Sequence, residues 1–146
     1  MNGITKEGHA HPDRRSFLRR YVFSTDHKVV AKQYLSLSLL WALIGAGTAY
    51  LIRWQIAHPD TEAFGWGYIE PNTYNALVTM HGTIMVFFVA MPLLLAAFGN
   101  FLIPLMIGAG DMAFPKLNML SFWFGAISGV VMLASFFVPG GPAAGG

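Results

Sequence analysis

Between Pro71 and Gly110 the chain has no Asp, Glu, Lys or Arg. One helical crossing of a bilayer takes roughly 20 apolar residues, and this run of about 40 is twice that requirement. Two folds can hold it. A hairpin turning near Phe98, Gly99 and Asn100 would leave backbone N–H and C=O groups unpaired in hydrocarbon, at a cost of several kcal/mol each. One long helix projecting beyond the lipid keeps those groups paired, and kinks at Pro92 and Pro104 would let it bend. The long helix is the expected form.

The rest of the chain agrees with a lipid setting. Apolar residues make up 55% and charged residues 11%, against about 25% charged in soluble domains. No charge falls between Lys32 and Arg53, where YLSLSLLWALIGAGTAYLI has the length of one crossing and Gly45, Ala46 and Gly47 permit close helix contact. A third crossing is LNMLSFWFGAISGVVMLASFFV. The expected fold is an all-α membrane protein with three transmembrane helices. Residues 1–32 form a basic N-terminal segment, 33–53 the first crossing, 54–72 an outer loop and 73–107 the second crossing. Residues 108–117 form a second loop, 118–138 the third crossing, and 139–146 an outer loop cut mid-way.

The first apolar run starts too late and is too long for a cleavable signal peptide. Lys6, Arg14, Arg15, Arg19, Arg20, Lys28 and Lys32 all precede it, whereas the first loop has only Arg53 at its edge. Positive charge marks the cytoplasmic side, so the N-terminus and the second loop are expected to face the cytoplasm. Trp54, Trp66 and Tyr68 suit the opposite membrane interface. The bilayer is the expected partner of these charges, not nucleic acid. Cysteine is absent, so any metal must be held by histidine, carboxylate or a cofactor.

His81 lies inside the long apolar run, about two turns past its start. A buried imidazole must give its proton or lone pair to something, and two readings stay open: an axial ligand to haem iron, with Gly82 leaving room for a flat macrocycle, or a histidine bonded to a neighbouring carbonyl or hydroxyl. His9, His11, His27 and His58 read as solvated. Asp111, between two apolar helices, either collects protons or caps the third helix or pairs with Lys116; the residues alone favour the latter. Asn100 and Asn118 suit a water chain or interhelical glue. Arg53 reads as a snorkelling cation or a partner for a polar cofactor substituent.

FSTDHKVVAKQYL and YNALVTMHGTIMVFFVAMPLLLAAFGNFLIPLMIGAGDMAFPKLNMLSFW closely resemble the first three helices of subunit I of the haem-copper terminal oxidases, from about Val22 onward. The combination of HG, FGN, PLMIGA, DMAFP and LSFW is far more specific than any one of them. The resemblance implies that the three helices begin a bundle of about a dozen. It implies that His81 is one of two axial ligands of a low-spin haem, expected to be haem A, that Arg53 binds its formyl substituent, and that Tyr74 lies beside it. Asp111 matches the mouth of a proton-uptake channel, in place of the capping role, and Tyr34, Asn100, Asn118 and Ser121 match its polar lining.

The whole protein so implied is a cytochrome c oxidase of a bacterial inner membrane. It would take electrons from cytochrome c through a subunit II, reduce oxygen to water and pump protons. The ligands of its high-spin haem and copper are absent here, so these 146 residues alone are expected to be inactive. The sequence departs from the family at Asp26 and Met119, where many members have Asn, and at Gly110, where they have Pro. A quinol oxidase of the same family, or a non-catalytic three-helix scaffold, are the alternatives.

Overall fold

The computed structural model describes residues 17–59, 61–138 and 141–142, without the side chains of Arg19 and Arg20. The expectations for His9 and His11, for the earlier basic residues and for most of 139–146 lie outside the described residues. Three helices are long and apolar enough to cross a membrane: α1, His27–Ala57; α2, Pro71–Ile107; and α3, Pro115–Phe137.

Each helix runs beyond the apolar stretch that announces it. α1 begins at His27 rather than after Lys32, because Asp26 is extended and its side chain accepts from the Lys28 amide at 2.8 Å. That bond satisfies one of the free donors of the first turn. The departure at Asp26 is thus a helix cap, a task Asn performs equally well. α1 continues past Arg53 and stops before Pro59. α2 starts with Pro71 at its first position, where the missing N–H has no partner to lose. α3 also starts on a proline, Pro115, preceded by Phe114 rather than by a capping Asp111.

The long run is one helix and not a hairpin. Its first part, Pro71–Thr83, and its last, Gly99–Ile107, are ordinary α-helix. Between them, Ile84–Ala90 and Pro92–Phe98 are wound more widely, and the Met91 amide bonds to Val86 O, five residues back. Pro92 lacks an amide, and in a normal turn its ring would strike the carbonyl four residues earlier; widening relieves that clash while keeping the backbone paired. The helix ends at Gly108, φ 69°, where the Ala109 amide reaches Pro104 O at 2.9 Å. A left-handed glycine with that bond is a strong helix stop.

α1 packs along the length of α2 and against α3. Its buried face runs Val30, Tyr34, Ser38, Trp41, Gly45, Thr48, the three- and four-residue spacing of one helical stripe. Val30 and Tyr34 meet Ala97 of α2 and Phe122 of α3 in one core cluster. Trp41 lies over Gly129, where an added Cβ would fall 2.6 Å from the indole. In the loop after α1, Ile69 is buried with Leu51 and Leu77, whereas Trp66 and Tyr68 are exposed at the helix ends.

Candidate functional site

Two polar constellations interrupt this apolar packing. The first is on the upper half of α2. His81 Nδ1 lies 3.1 Å from Gly45 O and 3.2 Å from Thr48 Oγ1, while Thr48 Oγ1 itself donates to Gly45 O at 2.7 Å. A carbonyl only accepts, so Nδ1 carries the proton. The hydroxyl proton is already committed, leaving its oxygen to accept from the same N–H. A neutral imidazole held this way keeps the lone pair on Nε2 for a ligand. Next to it, a Cβ built on Gly82 would meet nothing within 4 Å.

The residues expected around His81 gather only partly. Tyr74 is half-buried against Leu51 and Leu77, two turns before His81 on the same helix. Arg53 is exposed and makes no hydrogen bond or ion pair among the described residues; it lies about one and a half turns beyond Thr48. No three His, Asp or Glu side chains converge on a metal-sized site among the described residues. A lone imidazole with a fixed tautomer suits a metal that brings its remaining ligands with it, as haem iron does.

The second constellation is at the end that carries the basic segment. Asp111 Oδ1 accepts from His27 Nδ1 at 3.1 Å, from the His27 amide at 3.3 Å and from the Met112 amide at 2.7 Å. Asp111 therefore neither caps α3 nor pairs with Lys116, as the residues alone had favoured. Further along, Asn100 Nδ2 donates to Asn118 Oδ1 at 3.1 Å, and Tyr34 and Ser121 share a hydrogen bond of 2.9 Å. Asn118 Nδ2 is buried without a protein partner, a place for an ordered water. These pairs join α2 to α3 and α1 to α3, and all five residues assigned to proton handling fall at this end of the bundle.

His27 is the residue that sequence reasoning missed. It reads as solvated because Lys28 follows it, yet it is 4% exposed, and its Nε2 is buried with no partner. The signal was present in the spacing: His27 precedes Tyr34 by two helical turns and shares its face.

A family model described as cytochrome C and quinol oxidase polypeptide I matches residues 29–146. The chain is 44% identical to cytochrome c oxidase subunit 1 of Thermostichus vulcanus, over 91% of this chain and 23% of that protein. It is 46% identical to an alternative cytochrome c oxidase subunit 1 of Bradyrhizobium diazoefficiens, over 93% of this chain and 22% of that protein. The subunit 1 of a Synechocystis species is 44% identical, over 92% and 23%. The chain thus spans under a quarter of the length of these relatives. Three membrane-length helices, a histidine with a fixed tautomer among them and a family match over most of its length lead to one conclusion: this chain belongs to the cytochrome c and quinol oxidase polypeptide I family.

Proposed function

We propose that these residues are the N-terminal part of a subunit I that reduces oxygen to water with electrons from cytochrome c and pumps protons across a bacterial inner membrane, its N-terminus in the cytoplasm. The observation that carries the proposal is the orientation of His81, whose Nδ1 is engaged by Gly45 and Thr48 so that Nε2 is left to bind iron. A low-spin haem, when bound, supplies a one-electron carrier. His81 would hold the iron through Nε2, its ring kept from rotating by Gly45 and Thr48, and Arg53 and Tyr74 would serve the polar substituents of the group, which we assign as haem A.

Asp111 collects protons at the basic end, with His27 as its hydrogen-bond partner. The Asn100–Asn118 and Tyr34–Ser121 pairs offer donors and acceptors to a water chain leading inward. Moving a proton against a membrane potential costs about 2.3 kcal/mol per 100 mV, so its path must be defined by fixed groups such as these. Oxygen reduction, with its high-spin haem and copper, belongs to parts of the longer protein beyond these residues, as does docking to a subunit II. The names of the relatives favour cytochrome c over quinol as the electron donor.

The test is the reduced-minus-oxidised visible spectrum of membranes containing the full-length subunit, with and without His81→Ala. Loss of the low-spin haem band in the variant is expected, and its wavelength identifies the haem type. An unchanged spectrum would overturn the ligand assignment and leave a membrane scaffold as the better reading.

A further inference from the structure

Between α1 and α3, at the basic end, lies a groove of about 510 Å³. Ligand pockets run from roughly 300 to 1,000 Å³, so it can hold part of a small amphipathic molecule. Its walls are apolar, with Leu37 and Leu40 from α1 and Phe122 and Trp123 from α3, and its rim carries Lys32 and Gln33. Leu40 is 54% exposed, so the groove is open along that side among the described residues. One side is closed by the helical turn Leu18–Val22, which Gln33 Nε2 holds through bonds to Tyr21 O at 2.6 Å and Val22 O at 2.9 Å. Stacking of Phe23 on Trp123, with ring centroids 5.3 Å apart, ties the same segment to α3.

Two polar atoms on these walls have no partner. The Trp123 indole N–H and Gln33 Oε1 are both buried and unsatisfied, a condition that normally signals a missing partner. The described charge beside the groove is basic: Lys32 lines it and Lys28 lies about one turn before it on α1, while the Asp26 carboxylate is already engaged with the Lys28 amide. Basic pockets between membrane helices recognise anionic headgroups, and apolar walls beside them recognise the chain attached.

We infer that this groove binds an anionic glycerophospholipid from the leaflet that faces the basic segment, its phosphate at the Lys32 rim and one acyl chain along Leu37, Leu40 and Phe122. The inference rests on the membrane setting of the chain and not on haem ligation, so the low-spin haem spectrum of each variant reports folding independently.

The experiment uses the full-length subunit in its oxidase complex, delipidated in detergent and examined by native mass spectrometry. Phosphatidylglycerol, phosphatidylcholine and inorganic phosphate are each added back. Retention of phosphatidylglycerol above phosphatidylcholine is expected, with no retention of phosphate. Lys32→Gln should weaken phosphatidylglycerol binding about fivefold, the contribution of one basic residue at an anionic surface. Leu40→Trp, which fills the groove, should abolish binding at this site. Equal retention of the two lipids, binding of phosphate alone, or unchanged retention in both variants would each overturn the inference. So would a photo-cross-linker at Leu40 that labels a neighbouring protein segment instead of lipid.

Discussion

The tautomer of His81 depends on two groups of α1, and they differ in what a substitution can reach. Gly45 contributes a backbone carbonyl that no side-chain change removes, whereas Thr48 contributes a hydroxyl. Thr48→Val keeps the shape and loses the second acceptor, and partners that orient a metal-binding histidine are worth roughly 10–100-fold in affinity. Haem content of the purified full-length protein, measured after dilution in detergent, is expected to fall about tenfold in Thr48→Val on that scale and to lose the low-spin component in His81→Ala. At the other end, Asp111→Asn is expected to slow oxygen consumption roughly a hundredfold, the lower range for a positioned proton-transfer group. His27→Phe should slow it less, because the carboxylate stays; stopped-flow proton uptake with an indicator dye would separate the two, and wild-type rates in both would remove Asp111 from the pathway. His81 was legible as a site candidate because an ionisable group in an apolar run is conspicuous, and the structure gives it hydrogen-bond partners on α1. His27 was not, because its burial depends on a loop more than eighty residues away in the chain folding back onto it.

Glycine decides how closely the helices approach, and the two closest contacts are unequal. A Cβ at Gly129 would fall 2.6 Å from the Trp41 ring, and one at Gly45 would fall 2.7 Å from Met85 Sδ. The indole is rigid and buried, while the thioether is the mobile end of an unbranched side chain. Gly129→Ala is therefore expected to destabilise the bundle by about 1–3 kcal/mol, the usual range for overpacking, and Gly45→Ala by less than about 1 kcal/mol if Met85 swings aside. Thermal unfolding of the two variants in one detergent would rank them, and the reverse order would show that α1 and α3 can part more easily than α1 and α2. The crossings themselves were readable from runs of uncharged residues. Their helical ends were not, because caps and proline starts extend α1 and α3 into polar sequence that hydropathy ignores. The wide turns around Pro92 were also hidden, since a proline announces a disturbance but not how the backbone repairs it.

For the molecule as a whole, the buried share of the most apolar window is 28% in α1, 17% in α2 and 11% in α3. α1 is the inner helix of the three, and α3 is the least buried, with most of its residues exposed or half-buried. Interfaces of that extent fit a chain that occupies under a quarter of its relatives' length. The 146 residues expressed alone in nanodiscs are expected to show no band of a haem ligated by two histidines and no oxygen consumption with reductant, since His81 is the one haem ligand proposed among the described residues. Oxygen uptake above a protein-free control would contradict this. That three helices begin a larger bundle was legible in the sequence through family resemblance; composition alone supports a three-helix protein equally well.

The widened turns of α2 also set the rotational phase between its two ends. Each extra residue accommodated in such a turn rotates everything downstream by about 100° relative to an unbroken helix. His81 and Asn100 sit on opposite sides of the widened stretch, so one helix addresses two sites whose angular positions are set independently. Deleting a single residue between Ile84 and Phe98 would give the backbone back its regular winding, a change that hydropathy would score as neutral. The downstream segment would keep its phase, so Asn100 would still face Asn118 and His81 would still face Gly45, whereas the same deletion in a regular stretch of helix would swing one end about 100° away from its partner.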